Sequence, residues 1–163
     1  MNYAHLHLIL NHIPVIGIGL VTLLLILAIF RKSKELTIVS LLFMILVALA
    51  TIPVYFTGEP AEEVVEEMRG VSEQLIEQHE EVAEIAFILV EITGAFALIA
   101  LIAWHYSDRF GQALSIFMLL GLIVSGGFIA QTANLGGKIH HEEIRAGVNS
   151  QGTFSNRLYR DDD

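Results

Sequence analysis

The stretch that decides the fold is IAFILVEITGAFALIALIAW, residues 85–104. At 1.5 Å of rise per residue it makes a helix about 30 Å long, the thickness of a bilayer's hydrocarbon core, and its one ionisable residue is Glu91. Three further blocks of similar length and character surround it. The apolar runs predict spans at about 8–30, 36–56, 82–104 and 110–135. With 54% hydrophobic residues, 17% charged and a mean hydropathy of +0.62, the 163-residue chain is too apolar for an ordinary soluble domain. The fold expected is all-α: an integral membrane four-helix bundle with the lipid bilayer as its first partner.

The connections support antiparallel neighbours. Arg31-Lys32-Ser33-Lys34-Glu35 is a short basic turn between the first two spans, and Ser107-Asp108-Arg109 links the last two. Thr57-Gly58-Glu59-Pro60 ends the second span, and Pro60 suits the first turn of a new helix, where its missing N–H would be unpaired anyway. A short acidic amphipathic helix is expected from there to about Arg69. Gly70 closes it, and Ser72 caps a helix running through His79 into the third span. The fourth span is expected to stop at Gly136-Gly137, with a short polar helix over Ile139 to Arg145. Residues 1–146 form the transmembrane domain. Residues 147–163, polar and poor in apolar side chains, are expected to be a disordered tail.

Residues 1–12 carry no Lys or Arg and the apolar run after them is of full membrane length, so the first span is expected to be retained rather than cleaved. The basic turn and Arg109 place the intervening loops in the cytoplasm by the positive-inside rule, with both termini on the outer side; Lys138 and Arg145 work against this bias. A net charge of −9 excludes nucleic acid as a partner, because backbone phosphates require clustered Lys and Arg. The absence of cysteine excludes thiolate metal sites, iron–sulfur clusters and disulfides, leaving His, Asp and Glu as strong ligands. No Ser-His-Asp pattern, phosphate loop or zinc-peptidase motif argues for a hydrolase or a nucleotide enzyme.

Four antiparallel spans bring His5, His7, His12, His79, His140 and His141 to one face, with only His105 opposite. Glutamates from Glu59 to Glu84, with Glu142 and Glu143, share that face. Neutral imidazole ligates iron, copper, nickel and zinc, and carboxylates ligate or orient the second ring nitrogen, so this cluster is a candidate metal or haem site. His5, His7 and His105 are read as interfacial rings without a ligand. His12 lies with Asn11 just inside the first span before Pro14, where a polar ring needs a partner. Below His79 the same helical face continues as Ala83, Ala86, Val90, Gly94 and Ala97, small residues that suit either a flat macrocycle or close helix packing. His140 and His141 point about 100° apart on a helix, and periodicity does not choose between them. Glu91, about 12 Å below the outer end of its span, is expected to be uncharged or paired with Thr22, Thr51 or Ser125. Glu80 and Glu84 lie above it on nearly the same face, and the three form a candidate proton path.

Asn11-His12-Ile13-Pro14, Thr57-Gly58-Glu59-Pro60-Ala61, Glu77-Gln78-His79-Glu80 and Leu135-Gly136-Gly137-Lys138-Ile139-His140-His141-Glu142-Glu143-Ile144-Arg145 resemble the motifs of an uncharacterised bacterial family of four-helix membrane proteins. The resemblance covers about residues 3–146. It implies a bacterial inner-membrane location and matches His12, His79 and His141 to the family's histidine positions, with Glu59 and Glu143 beside them. Some relatives have Arg where His140 stands, which favours His141. Relatives occur beside cytochrome-type and other membrane redox proteins, and this implies b-type haem or a divalent transition metal in a redox or electron-transfer role, with other membrane redox proteins or a second copy as partners. The resemblance names no reaction. The competing expectation is a structural or assembly subunit without a cofactor, whose Gly121-x-x-x-Ser125 and Gly126-x-x-x-Ala130 spacings pack on other helices.

Overall fold

The computed structural model describes residues 3–66 and 72–140, His140 by its backbone alone. Six helices account for nearly all of it: α1 Tyr3–Leu10, α2 His12–Arg31, α3 Lys34–Phe56, α4 Gly58–Glu66, α5 Glu73–Tyr106 and α6 Asp108–His140. Four of the helical stretches are long and apolar enough to cross a membrane. In hydrocarbon each N–H and C=O must find its partner within the protein, and a helix satisfies them internally. The chain is thus an all-α, multi-pass membrane bundle.

The four long helices form a closed ring in which α5 packs on α6 and α3, and α2 packs on α3 and α6. Leu25, Leu41, Met44, Met118 and Leu122 fill its centre. Its outer surface is apolar too: Leu23 on α2, Leu46 on α3, Ile92 on α5 and Phe117 on α6 are each at least 60% exposed, as lipid contact requires. Since lipid tails are as apolar as leucine, burial from water does not drive these helices together; close van der Waals packing does. Glycines and alanines make it possible. A Cβ on Gly94 of α5 would lie 2.4 Å from the Ala48 Cβ of α3, and one on Gly17 of α2 would lie 2.6 Å from Val47 Cγ2. Gly121 meets Thr93 and Gly126 meets Ile18, so the Gly121–Ser125 spacing on α6 is engaged inside the bundle, whereas Ala130 of the second spacing is exposed.

Hydroxyls within the spans bond the carbonyl four residues earlier, as in Thr22 to Ile18 (2.7 Å), Ser40 to Leu36 (2.7 Å) and Thr51 to Val47 (2.8 Å). Ser125 does the same to Gly121 and also meets Thr93 Oγ1 at 3.0 Å, which gives α5 and α6 one buried polar tie.

Several boundaries differ from the sequence reading. Helix begins at Tyr3 rather than Leu8 and is interrupted at Asn11, because Pro14 has no N–H for the Leu10 carbonyl and its ring crowds the preceding turn. The acidic helix forms as expected, and the described part of it ends at Glu66. Ser72 stands at the N-cap of α5, but the acceptor for the Leu75 and Ile76 amides is its carbonyl, not its hydroxyl. The fourth span does not stop at Gly136-Gly137, since α6 continues unbroken to His140. Glycine weakens a helix without ending it when tertiary contacts hold the turn, and Gly136 is held by a ring described below. The helix expected over Ile139 to Arg145 and the tail lie mostly outside the described residues.

Two measurements test this architecture. Gly94→Ala is expected to destabilise the detergent-solubilised protein by about 1–3 kcal/mol, with a second substitution, Ala48→Gly, recovering much of the loss in a double-mutant thermal series. Cysteines replacing Ser33 and Glu63 are expected to label from opposite sides of the membrane.

Candidate functional site at the histidine-bearing end

A small second core assembles the end of the bundle where the histidines gather. Ala4 of α1, Ala61 and Val65 of α4, Ile76 of α5 and Ile139 of α6 are buried together, flanked by Val64 and Leu75. Four segments distant in sequence are joined there, as the antiparallel topology requires. The apolar face of α4 turns inward, leaving Glu59, Glu63 and Glu66 exposed.

His79 is half-buried at the seam of α5 and α6, with Nδ1 3.0 Å from the Thr132 carbonyl. A carbonyl only accepts, so Nδ1 carries the proton and Nε2 is the basic nitrogen of the neutral ring. A Cβ on Gly136 would lie 3.2 Å from His79 Cε1. The absence of a side chain at Gly136 is thus what admits the ring against α6. His12 is exposed, and its Nδ1 donates to the Leu8 carbonyl at 2.8 Å across the helix interruption. His7, read from sequence as a ring without a role, is half-buried: its Nδ1 lies 3.2 Å from both the Val54 carbonyl and Thr57 Oγ1, tying α1 to the end of α3. No local pattern marks it, because its partners lie 47 and 50 residues further along the chain.

The small residues below His79 are consumed by packing. Ala86, Val90 and Ala97 belong to the main core and Gly94 lies on Ala48, so the stripe serves helix contact rather than a macrocycle slot. Glu80 and Glu84 are exposed, and Phe87, stacked on Tyr55 with centroids 4.2 Å apart, stands between Glu84 and Glu91 along the helix. One carboxyl oxygen of Glu91 is buried with no hydrogen-bond partner among the described residues. The expected partners Thr22, Thr51 and Ser125 are instead engaged with main-chain carbonyls of their own helices.

Among the described residues no group of three His, Asp or Glu side chains could hold a metal ion. His141 and Glu143 lie outside those residues, as does the side chain of His140, so the convergence expected of His12, His79 and His141 with Glu59 and Glu143 involves positions beyond them.

Glu62, half-buried on α4, has its carboxyl raised above the usual range, first by burial and then by the nearby charges of Glu80, Glu66 and Glu59. A carboxyl raised in the folded state binds its proton more tightly there than when unfolded. Its stabilising contribution is therefore fully present below the ordinary glutamate range and is lost as pH rises through the raised value. The Glu62→Gln protein is expected to be more thermally stable than wild type at neutral pH and to converge with it in acid. Comparisons place no relatives beside this geometry: no family model, curated protein or solved structure matches the chain.

Proposed function

We propose that this multi-pass membrane protein binds a divalent transition metal ion at its histidine-bearing end, through His79 and His141 with His12 approaching from α2, in a redox or electron-transfer role in a bacterial inner membrane. The observation that carries the reading is the shared ring orientation. His12 and His79 each direct Nδ1–H to a main-chain carbonyl, which makes Nε2 the basic nitrogen. Metal-ligating histidines are oriented in this way, with the second nitrogen donating to a carbonyl or carboxylate. Glu59, exposed on α4, supplies an oxygen ligand or counter-charge, and Glu143 is the second candidate for that role. His140 is the alternative to His141.

A single ion fits the packing better than b-type haem, because Ala86 and Val90, further down the face of α5 that bears His79, are buried in the main core. Haem remains the competing group if it sits above the packed region with two of the three rings as axial ligands. The cofactor-free assembly subunit has lost one support, since Gly121, Ser125 and Gly126 already meet helices of this same chain. A proton path through Glu80, Glu84 and Glu91 would have to pass the Phe87–Tyr55 stack.

The test is elemental analysis and an absorption spectrum of the detergent-purified protein. One transition-metal ion per chain is expected, lost in His79→Ala and His141→Ala, reduced in His12→Ala and unchanged in His105→Ala. A Soret band would exchange the ion for haem at the same histidines. Neither signal, after metal or haem supplementation, would leave the assembly role in its place.

A further inference from the structure

At the end of the bundle opposite the histidines, the α2–α3 turn and the start of α6 enclose a cleft of about 440 Å³. Its polar lining includes Lys32, Lys34, Arg109, Gln112 and Ser115, with Trp104 in its wall. Lys34 is already neutralised, because it pairs with Asp108 and lies 5.2 Å from the centroid of the Trp104 ring. Trp104 is fixed in turn by its Nε1 donating to Ser115 Oγ at 3.0 Å, and its ring covers Gly111, where a Cβ would lie 2.5 Å from Trp104 Cγ. Lys32 and Arg109 have no such partner: neither side chain makes an ion pair or hydrogen bond among the described residues. The cleft therefore carries two uncompensated cations on a rigid wall.

Lys32 is also the one residue other than glycine with positive φ among the described residues, at 50°. That conformation is disfavoured for a residue with a side chain, and here it is held by the main-chain bonds of Lys32 to Ile29 and of Ser33 to Ala28.

The level of the cleft identifies what reaches it. Phe30 and Tyr106, each more than 80% exposed, flank it at the ends of their spans, where aromatic rings mark the membrane–water boundary. Of the five Lys and Arg among the described residues, Arg31, Lys32, Lys34 and Arg109 lie at this end, and only Lys138 lies at the other. On the far side of the Lys34–Trp104 pair a second cleft, of about 510 Å³, runs between α3 and α5 and is lined by Ile38, Leu101 and Ile102. A polar recess with two cations beside an apolar groove at the membrane surface has the chemistry of a headgroup site with its acyl chain.

We propose that this end of the bundle is a binding site for an anionic phospholipid, its phosphate held by Lys32 and Arg109 and its chain lying along Ile38, Leu101 and Ile102. Trp104 is the chain's single tryptophan and reports on the site directly. The experiment titrates the delipidated protein in neutral detergent with short-chain phosphatidylglycerol, phosphatidylcholine or inorganic phosphate, reading Trp104 fluorescence. A saturable change is expected with phosphatidylglycerol at concentrations where the other two give none. The double substitution Lys32→Gln, Arg109→Gln is expected to weaken it by about thirty-fold, from about 1 kcal/mol per basic residue near an anionic surface. Lys32→Arg is expected to retain binding, and an unchanged melting temperature of the glutamine variant shows that its loss is local. An equal response to inorganic phosphate would make this a free-phosphate site and overturn the lipid assignment. An equal response to phosphatidylcholine would show an apolar groove without charge recognition, and the absence of any saturable response would remove the site.

Discussion

The contact between Gly94 and Ala48 is the one on which the remainder of the bundle depends. It sets α3 and α5 at a separation that no larger side chain at either position permits. In a bilayer the helices have nothing to gain by hiding apolar surface from one another, so dispersion at close range is what selects this arrangement over others. Once α3 and α5 are fixed, α6 is placed by the Thr93–Ser125 tie, and α2 closes the ring through Gly17 on Val47 and Ile18 on Gly126. The fully buried Leu25, Leu41, Met44, Met118 and Leu122 then fill the volume that this spacing leaves.

The same economy of side chains recurs at the ends. Gly111 lets the Trp104 ring lie on α6, and Gly136 lets the His79 ring do so about seven turns further along that helix. In both places a ring with a polar nitrogen lies against a glycine and is bonded to a neighbouring oxygen, Ser115 Oγ for the indole and the Thr132 carbonyl for the imidazole. Buried or half-buried polar rings are stable here because each has such an acceptor.

The spans were legible in the sequence because bilayer thickness imposes a length and an apolarity that few soluble helices share, and the acidic α4 because Pro60 and its amphipathic pattern announce it. What the residues did not disclose follows from tertiary contact. Gly136-Gly137 reads as a stop by local propensity, whereas the cost of glycine in the helix is overridden by the packing of His79 on its bare face. The early start at Tyr3 was hidden because α1 is short and takes its stability from Ala4 packing on α4, a long-range contact. Of the candidate ligands, His79 was legible as a candidate from the small residues below it on its own helix. The inward turn of His7 was not, since it depends on where Val54 and Thr57 come to rest.

The unbroken length of α5 has a consequence for reach. Its 34 residues make a rod about 50 Å long, whereas the apolar run of residues 85–104 accounts for only about 30 Å, the hydrocarbon thickness. The surplus, residues 73–84, projects almost entirely on the acidic side, so that His79 stands about 9 Å above the hydrocarbon boundary. The opposite end stops nearly flush with the membrane at Tyr106. The two ends therefore sample different media. Whatever meets the histidine end exchanges with water and feels a potential screened over about 10 Å at ordinary ionic strength, while whatever meets Lys32 and Arg109 arrives by lateral diffusion within the lipid.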